Sequence, residues 1–173
     1  MAPKRSTSGI GRAYARKVGQ VSSPYAVRHD GEELFDLSPV ELWPEITDVH
    51  RFESWWSWLR GAELEPNEVA SGSVLTFSIV SPLPYKMRCR VEFTDVVIEE
   101  RIEAVVSGDL KGWATLDIEP VDEGSAVWLR WEFEPTQKPM RVLVRAARPL
   151  IVRTKDWAID IAVRTFRRNV QRG

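Results

Sequence analysis

Between residues 62 and 135 apolar and polar side chains alternate with a period of two, and clusters of turn-forming residues break the alternation five times. Period two marks strands with one buried face, because successive side chains point to opposite sides of a pleated sheet. The pattern predicts strands at about 62–68, 72–80, 85–95, 99–107, 110–119 and 125–134. Links this short join antiparallel neighbours, so the six form a meander. Parity assigns the faces. Leu75, Phe77 and Ile79, then Met87, Cys89, Val91 and Phe93, then Ile102, Ala104 and Val106, then Ala114, Leu116 and Ile118, and last Val127, Leu129, Trp131 and Phe133 share the apolar side. Lys86, Arg88, Arg90, Glu92, Glu103, Arg130, Glu132 and Glu134 are expected in water, and Trp113 and Trp128 fall on that outer parity.

The flanking segments read differently. "YAVRHDGEELFDL" has patchy alternation and predicts a strand near 25–36, with Gly31 as a bulge or turn. "LSPVELW" starts a helix: Ser38 is the N-cap, Pro39 takes the first helical position, and Glu41 is the reciprocal partner of a capping box. Pro44 and Thr47-Asp48 keep that helix short. Asp48 then caps a second helix to about Leu59, whose Phe52, Trp55, Trp56 and Leu59 share one face while Trp58 lies off it, and Gly61 closes it. Residues 138–170 return to helical spacing. Pro149 is expected to kink or divide them, giving helices at about 139–147 and 149–170, with one stripe of Leu150, Thr154, Trp157 and Ile161 and another of Ile159, Val163, Phe166 and Val170.

The order is strand, two short helices, six strands and a long C-terminal helix, an α+β arrangement. A curved antiparallel sheet with one apolar face needs a cover, and the long helix is the only element able to run along it. One helix cannot touch a strongly curved sheet everywhere, so a cavity is expected between them, closed at one end by the short helices. A chain of 173 residues, 43% hydrophobic, is sized for one domain. Residues 1–23, basic and rich in Ser and Gly, read as a flexible arm before a domain at 24–173.

Charge and cysteine narrow the classes. The net charge of −1 conceals five basic residues and no acid in 1–20, ten basic residues against Asp156 and Asp160 in 138–172, and nine basic against 23 acidic between. Basic ends on an acidic body attract within one fold; they also suit contact with an anionic membrane surface through the C-terminal helix. The same arginines ring a helix whose other faces the sheet needs, and no base-stacking motif accompanies them, which argues against nucleic acid. One cysteine and no Cys/His spacing exclude an internal disulfide and argue against a metal or other cofactor. With no apolar run of membrane-spanning length and no signal-peptide core at the start, the expectation is a cytoplasmic protein.

Three segments carry a family resemblance: "LSPVELWPEITDVHRFESWWSWL", "GDLKGWATLDIEPVDEGSAVWLRWEF" and "RPLIVRTKDWAIDIAVRTFRRNV". In this order they resemble the START-like (SRPBCC) superfamily, and within it the polyketide cyclase/dehydrase and lipid-transport family, over about residues 25–170. The resemblance implies the helix-grip fold, in which the sheet wraps the C-terminal helix. It also implies an elongated apolar pocket that carries a lipid or isoprenoid, or holds a polyketide during cyclisation.

Pocket-lining candidates are Phe52, Trp55, Trp56, Phe77, Cys89, Val91, Trp131, Thr154, Trp157 and Ile161; plain core packing is the competing account of the tryptophans. Chemistry is scarce. A nucleophilic triad needs histidine, and the chain has only His29, in the first strand, and His50, at the start of the second helix. Cys89 faces inward without a cationic neighbour to favour its thiolate. Asp156 and Asp160 stand one helical turn apart with Arg153 and Arg164 at pairing distance. An aromatase/cyclase-like enzyme would have His50 and Asp160 as its acid/base candidates. Three readings follow: a hydrophobic-ligand binder, such an enzyme, or a module engaging an anionic partner.

Overall fold

A computed structural model describes residues 23–80 and 86–170, with 147–160 described by backbone alone. The elements are β1 (Val27–Phe35), α1 (Pro39–Thr47), a 3-10 turn (Val49–Arg51), α2 (Phe52–Trp55), β2 (Leu59–Glu65), β3 (Val74–Val80), β4 (Lys86–Val97), β5 (Arg101–Gly108), β6 (Leu110–Val121), β7 (Gly124–Pro135) and α3 (Lys138–Val170). The seven strands form one antiparallel sheet in the order β1-β7-β6-β5-β4-β3-β2. Strands β2 to β7 are the meander expected from the alternation. β1 joins its far edge beside β7, so the helices between β1 and β2 connect opposite edges of the sheet. The arm expected over 1–23 lies, except for Ser23, outside the described residues.

Cap chemistry places α1. Glu41 accepts hydrogen bonds from the Ser38 backbone N–H at 2.9 Å and from the Ser38 hydroxyl at 2.7 Å, and the hydroxyl bond leads in holding its carboxyl below the usual range. Pro44 does not end the helix. It forfeits one bond, to the carbonyl of Val40, which is exposed and within reach of water. The second helix is shorter than its apolar spacing predicts. It stops after Trp55, Trp56 is extended, and Leu59 already pairs with Ile79 as the first residue of β2. Bulky aromatics hold a helix poorly, and the strand pairing satisfies the same backbone groups against a buried edge. Gly61 is correspondingly not a helix cap. Its φ of 63° serves the bulge where the β2–β3 register shifts between Arg60 and Glu63.

The C-terminal helix also departs from expectation, running undivided from Lys138 to Val170. Proline's fixed φ is itself helical, so Pro149 removes one hydrogen bond, to the exposed Arg145, without ending the helix. Gly31 is neither bulge nor turn, since β1 keeps register with β7 from Val27↔Phe133 to Phe35↔Ser125. Glu103, expected in water, is 3% exposed. Its row runs Glu103↔Thr115↔Arg130 across the convex face, between a row holding Val105 and Trp113 and one holding Arg101, Asp117 and Trp128. Large side chains on both sides deny water access to the middle of the sheet, and Asp117 pairs with both Arg101 and Arg130 there.

Two packed clusters make the core. One joins Phe35, Leu42, Ile118, Val127 and Phe166, so it clamps α1 and the end of α3 onto β1, β7 and β6. The other joins Val49, Leu64, Leu75, Phe93 and Ala104, packing the 3-10 turn onto β2 to β5. Both lie on the concave side of the sheet.

Candidate functional site

Phe35 meets Phe166 of α3 edge-on, with ring centroids 5.7 Å apart, so the odd positions of β1 face the helix. The inward set on β1 is therefore Val27, His29, Gly31, Glu33 and Phe35. Pairing sets His29 against Trp131 and Val27 against Phe133 on β7, and Trp131 in turn against Ala114 on β6. Three rings make a ladder here: His29 lies 5.8 Å from Trp131, and Trp131 stacks on Phe133 at 4.8 Å with planes 11° apart. Leu129, Trp131 and Phe133 are only partly buried, and among the described residues they join neither packed cluster. The middle of the concave face is thus apolar and incompletely covered, beneath the stretch of α3 described by backbone alone.

The tryptophan-rich stretch closes one end of this space. Phe52 lies 4.9 Å from Trp56 and 5.8 Å from Trp55, and Trp55 meets Phe166 edge-on at 5.4 Å. The Trp56 indole N–H donates to the Ala162 carbonyl at 3.4 Å. These three aromatics bridge the two clusters and tie α2 to α3. Trp58 is 40% exposed and stacks on Trp56, and the Arg51 guanidinium covers Trp55.

The remaining candidates separate. Phe77 and Val91 pack, partly buried, against the second cluster. Cys89 is 4% exposed; burial first, and then the negative charge of Asp109, push its thiol up to about 11. That value leaves the group protonated and unreactive at neutral pH. His50 is exposed, with Nε2 2.6 Å from Asn67 Oδ1. Ile161 is exposed rather than inward. It stands two residues, about 200° of helix, from Val163, which packs inward with Phe166 and Val170, so the two stripes cannot share a face. The side chains of Thr154, Trp157 and Asp160 lie outside the described residues.

His29 is the inward polar group that periodicity did not single out. A signal was present: Arg28, Asp30 and Glu32 occupy the opposite parity of β1, which turns His29 inward with Phe35. Across the face, Glu33 meets Arg167 of α3 at 3.4 Å. At the far end Arg141 covers the Tyr25 ring and lies 4.0 Å from Glu134. Burial raises the Glu134 carboxyl, but the hydrogen bond from Lys111 and its neighbours outweigh that and hold it below the usual range.

Other chemistry is sparse. A cleft of about 400 Å³ is lined by Lys86, Arg88, Gly108, Asp109 and Gln137, at the ends of the interior strands β4 and β5. Asp109 accepts hydrogen bonds there from the Arg88 backbone N–H and the Gln137 amide, at 2.8 and 2.6 Å, which tie the starts of β4 and α3 to the β5–β6 link. Among the described residues no three His, Cys, Asp or Glu side chains group to hold a metal, and no helix is long and apolar enough to cross a membrane.

No family model and no curated protein matches the chain. Solved structures do. A conserved protein from Geobacillus kaustophilus superposes with a TM-score of 0.66 at 12% identity, covering 84% of this chain and 96% of its own. Ara h 8.0201 superposes with a TM-score of 0.62 at 11% identity, over 86% of this chain and 99% of that one. A Thermus thermophilus protein gives 0.60 at 18% identity, over 84% and 97%. Identities this low speak to architecture alone, and the architecture is an α+β helix-grip fold, with a curved seven-stranded antiparallel sheet facing a long C-terminal helix.

Proposed function

We propose that this protein binds a hydrophobic small molecule, a lipid, isoprenoid or polyketide, between the concave face of the sheet and α3. The carrying observation is that Leu129, Trp131 and Phe133, large apolar residues in the middle of that face, stay partly exposed while both ends are packed. A sheet face of this kind in water is costly unless something apolar covers it, at about 25 cal/mol for each Å² left wet. The START-like fold supports the same reading. A carrier or storage role suits the site better than catalysis, because His50 is exposed and the Cys89 thiol is held protonated. Loading at an anionic lipid surface suits the exposed Val142 and Leu143 on the basic helix α3.

Native mass spectrometry of protein isolated from its own host tests the proposal. An apolar ligand that co-purifies, and leaves when Trp131→Ala is introduced, is the expected result. Repeated recovery of ligand-free protein that also ignores added apolar fluorophores would refute it.

A further inference from the structure

We propose that the cleft at the starts of β4 and α3 is a phosphate site, and that the group it takes is the phosphomonoester head of an anionic lipid. The inference rests on the loading step proposed above and deepens it, by naming the lipid chemistry that the protein meets at a membrane.

Charge singles out this place. Lys86 and Arg88 are exposed and stand two residues apart on the convex face of β4, so both leave the sheet on the same side, about 7 Å from each other. Other cations of that face are matched: Arg28 with Glu132, Arg90 with Glu92, Arg101 and Arg130 with Asp117, and Lys111 with Glu134. Among the described residues Lys86 and Arg88 make no ion pair. The carboxylate beside them does not take the role. Asp109 lines the same cleft, but its Oδ2 accepts from the Arg88 backbone N–H and its Oδ1 from the Gln137 amide, so both oxygens serve the links between strands and helix. Two positive side chains thus face one occupied carboxylate, and the described lining keeps a positive surplus.

Size and surroundings name the anion. The cleft of about 400 Å³ far exceeds the roughly 30 Å³ share of one water molecule, so it admits a polyatomic head group. Arg88 supplies a planar fork for two phosphate oxygens and Lys86 a point charge for the third. A phosphomonoester, at about −1.5 to −2 near neutral pH, matches two cations where a diester matches one. Apolar side chains also stand in water on both flanks. Val80, paired directly with Lys86 across β3 and β4, is 44% exposed, and Val142 and Leu143, early in α3 beyond Gln137, are 68% and 39% exposed. Cations beside exposed apolar groups fit the boundary of a bilayer, where phosphates lie at the surface and apolar side chains enter beneath them. A soluble phosphate ester leaves those flanks unexplained, which points to a lipid as the source.

Vesicle co-sedimentation of the full chain at about 0.15 M salt, where diffuse charge contacts are screened, is the test. Phosphatidylcholine vesicles carrying phosphatidic acid are compared with vesicles in which phosphatidylserine supplies the same surface charge. Phosphatidic acid should bind roughly tenfold tighter, as expected for charge-assisted bonds that a diester cannot complete. Lys86→Gln with Arg88→Gln should bring the two lipids to within about twofold of each other, whereas Arg60→Gln with Arg90→Gln, an equal loss of charge from the same face, should keep the preference. Val142→Ser with Leu143→Ser should weaken binding to both lipids and leave their ratio unchanged. Calorimetric titration with glycerol 3-phosphate reads the soluble source: an affinity equal to that for phosphatidic acid vesicles would overturn the lipid assignment. Equal binding of the two lipids, or a preference that survives Lys86→Gln with Arg88→Gln, would overturn the phosphate site, and an apolar ligand co-purifying in native mass spectrometry would then leave the binding function standing. Failure to bind either vesicle overturns both this site and the loading step.

Discussion

Phe166→Ala separates the packed end of the molecule from its open middle. Phe166 is 8% exposed and meets Phe35 and Trp55 edge-on, at 5.7 and 5.4 Å, in a cluster where Leu42 is 0%, Ile118 4% and Val127 5% exposed. Truncating a buried phenylalanine costs about 3–5 kcal/mol, and the two edge-on contacts, each worth about 0.5–1.5 kcal/mol beyond area, place this site in the upper half of that range. For a domain of this size about 4 kcal/mol lowers the melting temperature by roughly 8–16 °C. Urea titration followed by far-ultraviolet circular dichroism gives the free energy, with an unchanged slope against denaturant showing that both end states are preserved. Trp131→Ala, measured alongside, removes a larger ring yet should cost less than Phe166→Ala, because Trp131 is only partly buried. The cycle of Phe35→Leu and Phe166→Leu should return a coupling of about 0.5–1.5 kcal/mol. A Phe166→Ala loss under about 1 kcal/mol would refute the anchoring of α3. A Trp131→Ala loss equal to or above that of Phe166→Ala would show the middle of the concave face to be solid core.

The Cys89 thiol, raised to about 11, should react with iodoacetamide at pH 8 roughly a hundredfold more slowly than an unperturbed cysteine, and rapid labelling of the folded protein would contradict its burial. The folded state retains the proton longer than the unfolded chain, so this contribution to stability is intact below pH 9.0 and is lost as pH rises from there through about 11, which denaturant titrations at several alkaline pH values will show. The basic helix α3, with Val142 68% exposed and Arg141 and Arg145 on either side of it in sequence, should bring the protein down with phosphatidylserine vesicles at low salt and release it at high salt; binding that ignores salt would exclude a charge-driven contact.

Features carried by neighbours in the chain were legible without the fold. Alternation from 62 to 135 placed six strands within a few residues, since side-chain parity is a local property of an extended backbone. Ser38, Pro39 and Glu41 placed the start of α1 because capping involves residues three apart. Tertiary contacts decided the rest. Leu59 left the expected helix because Ile79 was available to pair with it, and Gly61 changed from cap to bulge with it. Glu103 was buried by side chains from strands on both sides of it, which no pattern along β5 records. Ile161 turned outward because Val163, Phe166 and Val170 had already claimed the inward face of α3. The candidate site shows the same division: the aromatic residues were visible as a list, but the meeting of His29 with Trp131 depends on β1 closing against β7, about a hundred residues away. That register is set by burial of Phe35 at one end and antiparallel hydrogen bonding along the edge, interactions that exist only once the sheet has formed.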